Sequence, residues 1–520
     1  MRRLPALTAL LGLFAACLAG QRGYAQAPDP GVESTLYLFK EAARPQRDGS
    51  HNALLLGLRR LEDPDLLPLF RGLSGSPYLS IRVHGQLGAA ALSREKRIDL
   101  ASLAEIEDQN ELVQVLSAAI DDDLIDNKQM ATLLTWDGLE LPLRQAIALR
   151  LVGGGSKVDI EPFRESLKVE LDESLGAART LQYALASLLL AEAGDAEGKA
   201  AINKLANLRG ESAEAVLGQT LDAAMRNRFA SAGTLGLAVA KDKQREPALR
   251  LLAIQSALRL EALGAAQVWR GMYRSEQDTA QRIRLAMIAL DSAEHVEPAL
   301  FDTLADSGEW ISHIAKAGRA IASKNDDPGK AFEPLIETGQ PLSVQWVVTY
   351  CQRSKPTQGP ALLERVILSH DKAPRHHQGR IIQAGIAATT VLCELYPEEA
   401  NQRLTALLNV DQPKPSGIDE RTYLTRRQIM LMGVARARGE SLNPLVASLE
   451  PDGFADFTTE ALRLFIRARH GQPLTDKEWE HISDIIQGVG QFDQGMRLQM
   501  GWAYLKHKGI ADKSIQQVLR

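Results

Sequence analysis

Cysteine and aromatic residues are scarce in this sequence. Its 520 residues include three cysteines, and Phe, Trp and Tyr together make up 5%. So few aromatic side chains, in a chain dominated by Ala and Leu, favour closely packed helices over a β-sandwich. Cys351 and Cys393 are too few for a disulfide framework. We expect two buried free thiols, although the pair could also form a disulfide in an oxidising compartment.

The sequence also lacks the motifs of several enzyme classes. It contains no Gly-x-Ser-x-Gly elbow and no His-Glu-x-x-His. The run Gly153–Gly155 lacks the Gly-Lys-Ser/Thr ending of a phosphate-binding loop, and we interpret it as a helix terminator. These absences favour a protein without enzymatic activity but do not exclude an enzyme. We predict no catalytic residue and no cofactor.

Two polar clusters could suggest a metal site. His370, His376 and His377 lie in a segment that contains proline, and we interpret them as part of an exposed loop. The acids Asp121–Asp123 are contiguous, whereas an EF-hand alternates its ligands and needs Gly at the sixth position, where Asp126 stands. We interpret the acids as a solvated helix end and predict no metal site.

The first residues have the composition of a secretory signal peptide. Arg2 and Arg3 precede the largely apolar stretch Leu4–Gly20, and small residues follow it. This pattern predicts a signal peptide of residues 1–25 and export to the periplasm or the medium, with a bacterial envelope as the setting. A retained anchor helix is the alternative, although the apolar stretch is short for a membrane span of about 20 residues.

Cys17 leaves a further possibility open. The string Leu13-Phe14-Ala15-Ala16-Cys17 resembles a bacterial lipobox, except that Phe14 stands where Leu is usual. Lipidation of Cys17 would make the protein a lipid-anchored component of the envelope. In either case we expect no transmembrane span in the mature chain.

Arginines followed two residues later by Ala or Leu recur in helical runs rich in Ala and Leu. The clearest copies are Arg144, Arg179, Arg250 and Arg284. Looser copies stand at Arg82, Arg463 and Arg497. A period of about 35 residues is typical of stacked two-helix units. The unit is clearest at Asp65–Leu92, where two apolar helical stripes flank a turn rich in Gly and Pro. One helix pair cannot bury both stripes, so the pattern predicts stacked pairs with a continuous core.

The spacing of acids and arginines adds a family resemblance. Asp278 precedes Arg284 by six residues, as an Asp in the turn precedes an Arg of the second helix in HEAT repeats. Glu173 and Arg179 keep the spacing with a different carboxylate. The region from about residue 50 to 300 thus resembles the HEAT-repeat, armadillo-like family. The resemblance implies an all-α fold, a right-handed α-solenoid of antiparallel helix pairs.

The arginines have two possible roles. They could form a row of binding cations, or they could bond the carbonyls and carboxylates of the turns and so brace the repeats. We favour the structural brace. Its predicted members are Arg144, Arg179, Arg250 and Arg284 with the acids Glu173 and Asp278.

Loops rich in Pro, Gly and polar residues interrupt the period, and we expect a bend between two arms near residues 325–330. The predicted organisation is a signal peptide (1–25), a lead-in (26–50), HEAT-like repeats (51–325) and continuing degenerate repeats (326–520).

Stacked helix pairs usually offer a long concave surface to other proteins. We therefore predict an exported interaction scaffold that binds an unidentified partner protein along that face. The alternatives are an enzyme or enzyme-accessory protein of the HEAT-like lyase type, which rests on fold analogy, and a lipid-anchored envelope component. The net charge of −5 argues against a nucleic-acid partner.

Overall fold

The computed structural model confirms the all-α class. It describes residues 29–171, 175–305, 307–324, 328–408, 419–437, 440–449, 456–490 and 492–520. Within these ranges the chain forms helices joined by turns, and no strand occurs. No helix in the described ranges is both long enough and apolar enough to cross a membrane. The predicted signal peptide with Cys17, and also Glu173, lie outside the described residues.

The α-helices are numbered in chain order. The first fourteen are α1 Pro30–Ala42, α2 Ser50–Arg59, α3 Leu67–Leu73, α4 Leu79–Ala91, α5 Leu100–Ala104, α6 Gln109–Asp121, α7 Asn127–Leu133, α8 Leu141–Gly153, α9 Glu161–Arg164, α10 Ala177–Glu192, α11 Ala196–Leu205, α12 Glu211–Asn227, α13 Gly233–Lys241 and α14 Pro247–Arg259. The others are α15 Ala265–Ser275, α16 Thr279–Asp291, α17 Glu309–Ala322, α18 Gly329–Glu337, α19 Pro341–Ser354, α20 Gly359–Leu368, α21 Gln378–Leu395, α22 Pro397–Leu408, α23 Glu420–Arg436, α24 Asn443–Ala447, α25 Phe457–Arg469, α26 Asp476–Ile486, α27 Gln494–His507 and α28 Ala511–Leu519.

The chain packs into two compact units. Of the described residues, unit 1 combines those from 29 to 96 with those from 446 onward, and unit 2 comprises those from 97 to 445. The bend expected near residues 325–330 stays a prediction, because residues 325–327 lie outside the described part.

In unit 2, a shorter first helix and a longer second helix alternate from α7 onward. The second helices begin at residues 141, 177, 211, 247, 279, 309, 341, 378 and 420, so each begins 30 to 42 residues after the previous one. Consecutive second helices pack against each other from α8 to α17. The same holds for α19 with α21 and for α21 with α23. In the pair that ends with α17, the 3-10 segment Pro298–Leu304 takes the place of the first helix.

Unit 1 is built from both ends of the chain. Helix α1, part of the expected lead-in, packs against α26 and α27, and α2 packs against α27 and α4. Leu38 and Phe39 of α1 share one apolar core with Leu498 and Trp502 of α27. The last helices of the sequence therefore supply core residues for the first ones.

The helix pair predicted at Asp65–Leu92 is present as α3 and α4. These helices approach closely because Gly85 has no side chain. A Cβ atom at Gly85 would lie 2.3 Å from the backbone nitrogen of Ser74. Between the two ends of the chain, a Cβ at Gly501 of α27 would lie 2.5 Å from Oγ1 of Thr35 in α1. Both glycines are thus required by contacts between helices rather than by their dihedral angles.

Candidate interaction surface

Arginines at the fourth position of second helices bond the turn that precedes them. A helical side chain leans toward the N-terminus of its helix, so an arginine in the first turn can reach back to the carbonyls before it. Nε of Arg144 donates to the carbonyl of Leu139 at 2.8 Å, and Nη2 donates to the carbonyl of Trp136. Nε of Arg250 donates to the carbonyl of Ala240 at 3.2 Å. These contacts satisfy carbonyls that a helix end or turn leaves unpaired.

The same arrangement occurs in unit 1. Nη1 of Arg82 donates to the carbonyl of Ser76 at 3.0 Å. Nε and Nη2 of Arg497 donate to the carbonyl of Ile486 at 3.0 and 2.6 Å. Both arginines hold the fourth position of their helices, α4 and α27. A backbone carbonyl of the preceding turn or helix end is therefore the common partner of these arginines in the two units.

Asp278 and Arg284, which were predicted to act together as a brace, are not bonded to each other in the structure. Asp278 is the N-cap of α16, and its carboxylate accepts from the backbone nitrogen of Gln281 at 2.9 Å. Arg284 is exposed, as is Arg179, and neither guanidinium bonds a residue that the structure describes. Glu173, the proposed partner of Arg179, lies outside the described residues.

The residue that occupies the fourth position of α16 is Arg282, which the Arg-x-Ala/Leu pattern does not select. Its guanidinium carbon lies 4.9 Å from the ring centroid of Tyr273, and Nη2 lies 3.3 Å from Oγ of Ser307. Counting from the capping residue Asp278, rather than from the Arg-x-Ala pattern, would have identified it. Arg282 thus contacts α15 on one side and the next pair on the other.

Ion pairs join several helix pairs of unit 2 to the next one. Nη2 of Arg164 lies 2.6 Å from Asp195, 31 residues away. Nη2 of Arg209 lies 2.8 Å from Asp242, 33 residues away. Further along the chain, Arg365 pairs with Glu333, and Arg403 pairs with Glu364. The separation in sequence is close to one repeat, as expected for contacts between stacked neighbours.

Arg245 is the most buried member of this set. Its residue is 4% exposed, and Nη1 lies 2.7 Å from Oε1 of Glu214. Nη2 also donates to the carbonyl of Ala206 at 2.9 Å. Removing one partner of a buried pair leaves an uncompensated charge, so such a contact fixes the geometry of the two helix pairs it joins.

One polar network reaches beyond the adjacent pair. Asp291, at the end of α16, accepts from Nε2 of Gln255 at 2.8 Å and lies 3.4 Å from Nη1 of Arg353. Oγ of Ser354 donates to Glu294 at 2.7 Å. These last two contacts span 62 and 60 residues, so α16 and α19 meet although α17 and α18 lie between them in sequence.

The residues considered for metal or nucleophilic chemistry take structural positions. Burial raises the pKa of the Cys351 and Cys393 thiols to about 12, and both cysteines are free. Asp121–Asp123 are exposed at the end of α6, while Asp126 caps α7 through a capping box. In the described part of the chain, no group of three or more His, Cys, Asp or Glu side chains could hold a metal ion.

The three histidines lie at the N-terminal end of α21. The rings of His376 and His377 have centroids 4.0 Å apart. His370 is buried, and burial together with the nearby Arg426 lowers the pKa of its imidazole. This end of α21 therefore brings together side chains from the loop before it and from α23.

These polar contacts join neighbouring helix pairs. Exposed positions on the second helices include Gln219, Arg284, Gln345 and Gln383, all of them polar. Comparison of the chain with known protein families, curated proteins and solved structures found no match.

Proposed function

We propose that the protein is an interaction scaffold whose helix pairs stack as a right-handed, HEAT-like α-solenoid and bind a partner protein along the second helices. The main support for this proposal is that polar contacts in unit 2 recur between residues about one repeat apart in the sequence. Besides the pairs of Arg164 and Arg209, Nε2 of Gln145 donates to the carbonyl of Gln182 at 2.8 Å, 37 residues away. A contact that repeats with the period of the helices is what a one-dimensional stack predicts.

The second helices are the better candidate for the binding face. They form two runs in which each member packs against the next, α8 to α17 and α19 to α23, so their exposed side chains follow one another within each run. An extended row of this kind can contact a partner at several points, and each point adds to affinity without requiring a deep pocket.

We also propose that the chain is exported through the signal peptide of residues 1–25, or anchored through a lipid on Cys17. Mass spectrometry of the N-terminus of the purified native protein tests both ideas. A chain that starts after Ala25 supports cleavage and export, and a diacylated Cys17 supports the anchor. An intact Met1 on cytosolic protein contradicts both.

Site-specific photo-crosslinking tests the binding face. A photoreactive residue is placed at Gln219 of α12 or Gln345 of α19, and the protein is irradiated in its native host fraction. Matched controls carry the same group at Lys199 of α11 and Lys330 of α18, exposed first-helix positions of the same two pairs. We expect one common partner to be crosslinked from both second-helix positions and from neither control.

Equal crosslinking from all four positions would contradict a binding face on the second helices. Absence of a reproducible partner, together with turnover of a substrate by the purified chain, would contradict the scaffold itself and favour the enzyme alternative.

A further inference from the structure

Helices α21 and α23 lie side by side and run in the same direction. A Cβ atom at Gly385 of α21 would lie 2.9 Å from Cγ2 of Ile429. One turn later, a Cβ at Gly433 of α23 would lie 2.3 Å from Cβ of Thr389. Both contacts join residues 44 positions apart, which is the register of parallel helices. The N-terminal ends of the two helices are therefore neighbours.

Cations concentrate at these neighbouring ends. Arg375 and Arg380 flank the start of α21, Arg421 stands in the first turn of α23, and all three are exposed. Arg426, one turn further along α23, is close enough to His370 to lower the pKa of that imidazole, after burial as the larger cause. We name Arg375, Arg380, Arg421 and Arg426 the basic surface.

The stretches that carry the basic surface are basic in composition. Residues 370–380 and 419–427 together contain six Lys and Arg residues against the three acids Asp371, Asp419 and Glu420. Asp419 is engaged as the N-cap of α23, where its carboxylate accepts from the backbone nitrogen of Thr422 at 3.0 Å.

The exposed arginines of the basic surface differ from several other arginines of unit 2. Arg164, Arg209 and Arg245 each pair with an acid of an adjacent helix pair. In contrast, the guanidinium groups of Arg375, Arg380 and Arg421 make no ion pair with a carboxylate whose side chain the structure describes.

The position of these cations also opposes the helix dipoles. The N-terminal end of a helix carries partial positive charge, so cations there destabilise it and anions stabilise it. The N-cap of α21, His377, makes no side-chain capping bond. An anionic ligand at this end would relieve the repulsion among the arginines and complement the uncapped end of α21.

We propose that the basic surface binds an acidic segment of the partner protein. The inference rests on the proposed scaffold function and names the chemistry of what it binds. Arginine presents a planar fork of donors that matches a carboxylate with two parallel hydrogen bonds. A long polyanion fits less well, because the whole chain carries a net charge of −5 and would repel it beyond the basic surface.

Fluorescence anisotropy with a labelled peptide of Asp and Glu residues tests the proposal on the full chain. The variant is Arg375→Gln, Arg380→Gln and Arg421→Gln combined. The matched control combines Lys199→Gln, Lys241→Gln and Arg274→Gln, three exposed cations on the first helices α11, α13 and α15 of unit 2. Both variants change the total charge equally, and circular dichroism checks that both remain folded.

We expect the wild-type chain and the control to bind the peptide at low salt and to lose it as salt rises. The variant of the basic surface should bind about tenfold more weakly or worse, since one charge-assisted contact alone is worth roughly that factor. Equal weakening in both variants would overturn the proposal, because it would show only an effect of total charge. No binding by the wild-type chain would overturn it as well.

Two further probes exclude other anionic partners. A single-stranded oligonucleotide and vesicles containing anionic lipid are offered under the same conditions. Tighter binding of either one than of the acidic peptide would overturn the proposal in favour of that class. The crosslinks from Gln219 and Gln345 separate this inference from the scaffold function. If they persist in the variant of the basic surface and the acidic peptide does not bind the wild-type chain, the scaffold function stands and this inference alone fails.

Discussion

The contacts within unit 1 and those within unit 2 differ in how far apart their residues lie in the sequence. In unit 2, the ion pairs of Arg164 and Arg209 join residues 31 and 33 positions apart. In unit 1, Nε2 of Gln499 donates to the carbonyl of Gly57 at 3.0 Å across 442 positions. Tyr504 donates to Asp29 at 2.9 Å across 475 positions. Apart from the network around Asp291, these contacts of unit 2 join adjacent helix pairs, whereas unit 1 needs both ends of the chain.

This difference has consequences for cooperativity. A stack of repeats can open at one interface while distant interfaces stay closed, because each repeat touches only its neighbours. The core of unit 1 instead mixes residues of α1 to α4 with residues of α27 and α28. Loss of the C-terminal helices should therefore release the N-terminal ones, although the two segments are far apart in sequence.

Of the substitutions that test this difference between the units, Trp502→Ala should have the largest effect on stability. Trp502 is 2% exposed, its ring lies 6.0 Å from that of Phe39, and its Nε1 donates to Asp63 at 2.8 Å. Removing a buried tryptophan costs about 3–5 kcal/mol. Hydrogen exchange with mass spectrometry should show faster exchange in both segments of unit 1, residues 29–96 and 456–520.

Trp269→Ala is the matched change in unit 2. Trp269 is fully buried, and its Nε1 donates to the carbonyl of Leu285 at 2.9 Å. Its removal should have a similar cost, but faster exchange should be confined to α15 and the helices that touch it. If Trp502→Ala speeds exchange in only one of the two segments of unit 1, the idea of a core shared by both ends is wrong.

Arg144→Leu should give the next largest effect, and it tests which arginines act as braces. The substitution leaves the carbonyls of Leu139 and Trp136 without their donor, at a cost of about 1–3 kcal/mol. Arg284→Leu is the matched control, because Arg284 is exposed and should change stability by less than about 0.5 kcal/mol. Chemical denaturation of both variants provides the measurement, and equal losses would contradict the distinction drawn between the two positions.

The arginines also show how much of the structure could be predicted from the sequence. Helices were predictable because apolar residues three and four positions apart mark one face, as in the pair at Asp65–Leu92. Arg144 and Arg250 were identified because the Arg-x-Ala/Leu pattern happens to coincide with the fourth helical position. In α16 the pattern selected Arg284, whereas the cap at Asp278 sets the helix start and makes Arg282 the fourth residue.

Other features could not be predicted because they depend on which helices become neighbours. The period of the apolar stripes says that pairs stack, but it does not say that α27 stacks against α1 and α2. The basic surface is formed by two stretches of sequence about 45 residues apart, and only the parallel packing of α21 and α23 brings them together. Neither stretch alone is distinguished from an ordinary polar loop.

The smallest predicted effect concerns pH and compares one carboxylate in each unit. In unit 1, Asp63 accepts from Trp502 and lies 2.8 Å from Nζ of Lys506. Burial alone would raise the pKa of Asp63, but the hydrogen bonds from Lys506 and Trp502 lower it below 3.8. In unit 2, the hydrogen bond from Arg164 lowers the pKa of Asp195.

A carboxyl group whose pKa is lower in the folded state stabilises the fold above its unfolded pKa, and this contribution is lost as pH falls through its folded pKa. Asp63→Asn should therefore destabilise unit 1 by about 1 kcal/mol near pH 7, and the difference from wild type should shrink below about pH 4. Hydrogen exchange at both pH values measures this. Asp195→Asn should act with the same sign, but only on α9 to α12. If the stability difference between Asp63→Asn and wild type grows on acidification, Asp63 is not stabilised as a carboxylate. The salt bridge between Asp63 and Lys506 would then contribute nothing to joining the two ends of the chain.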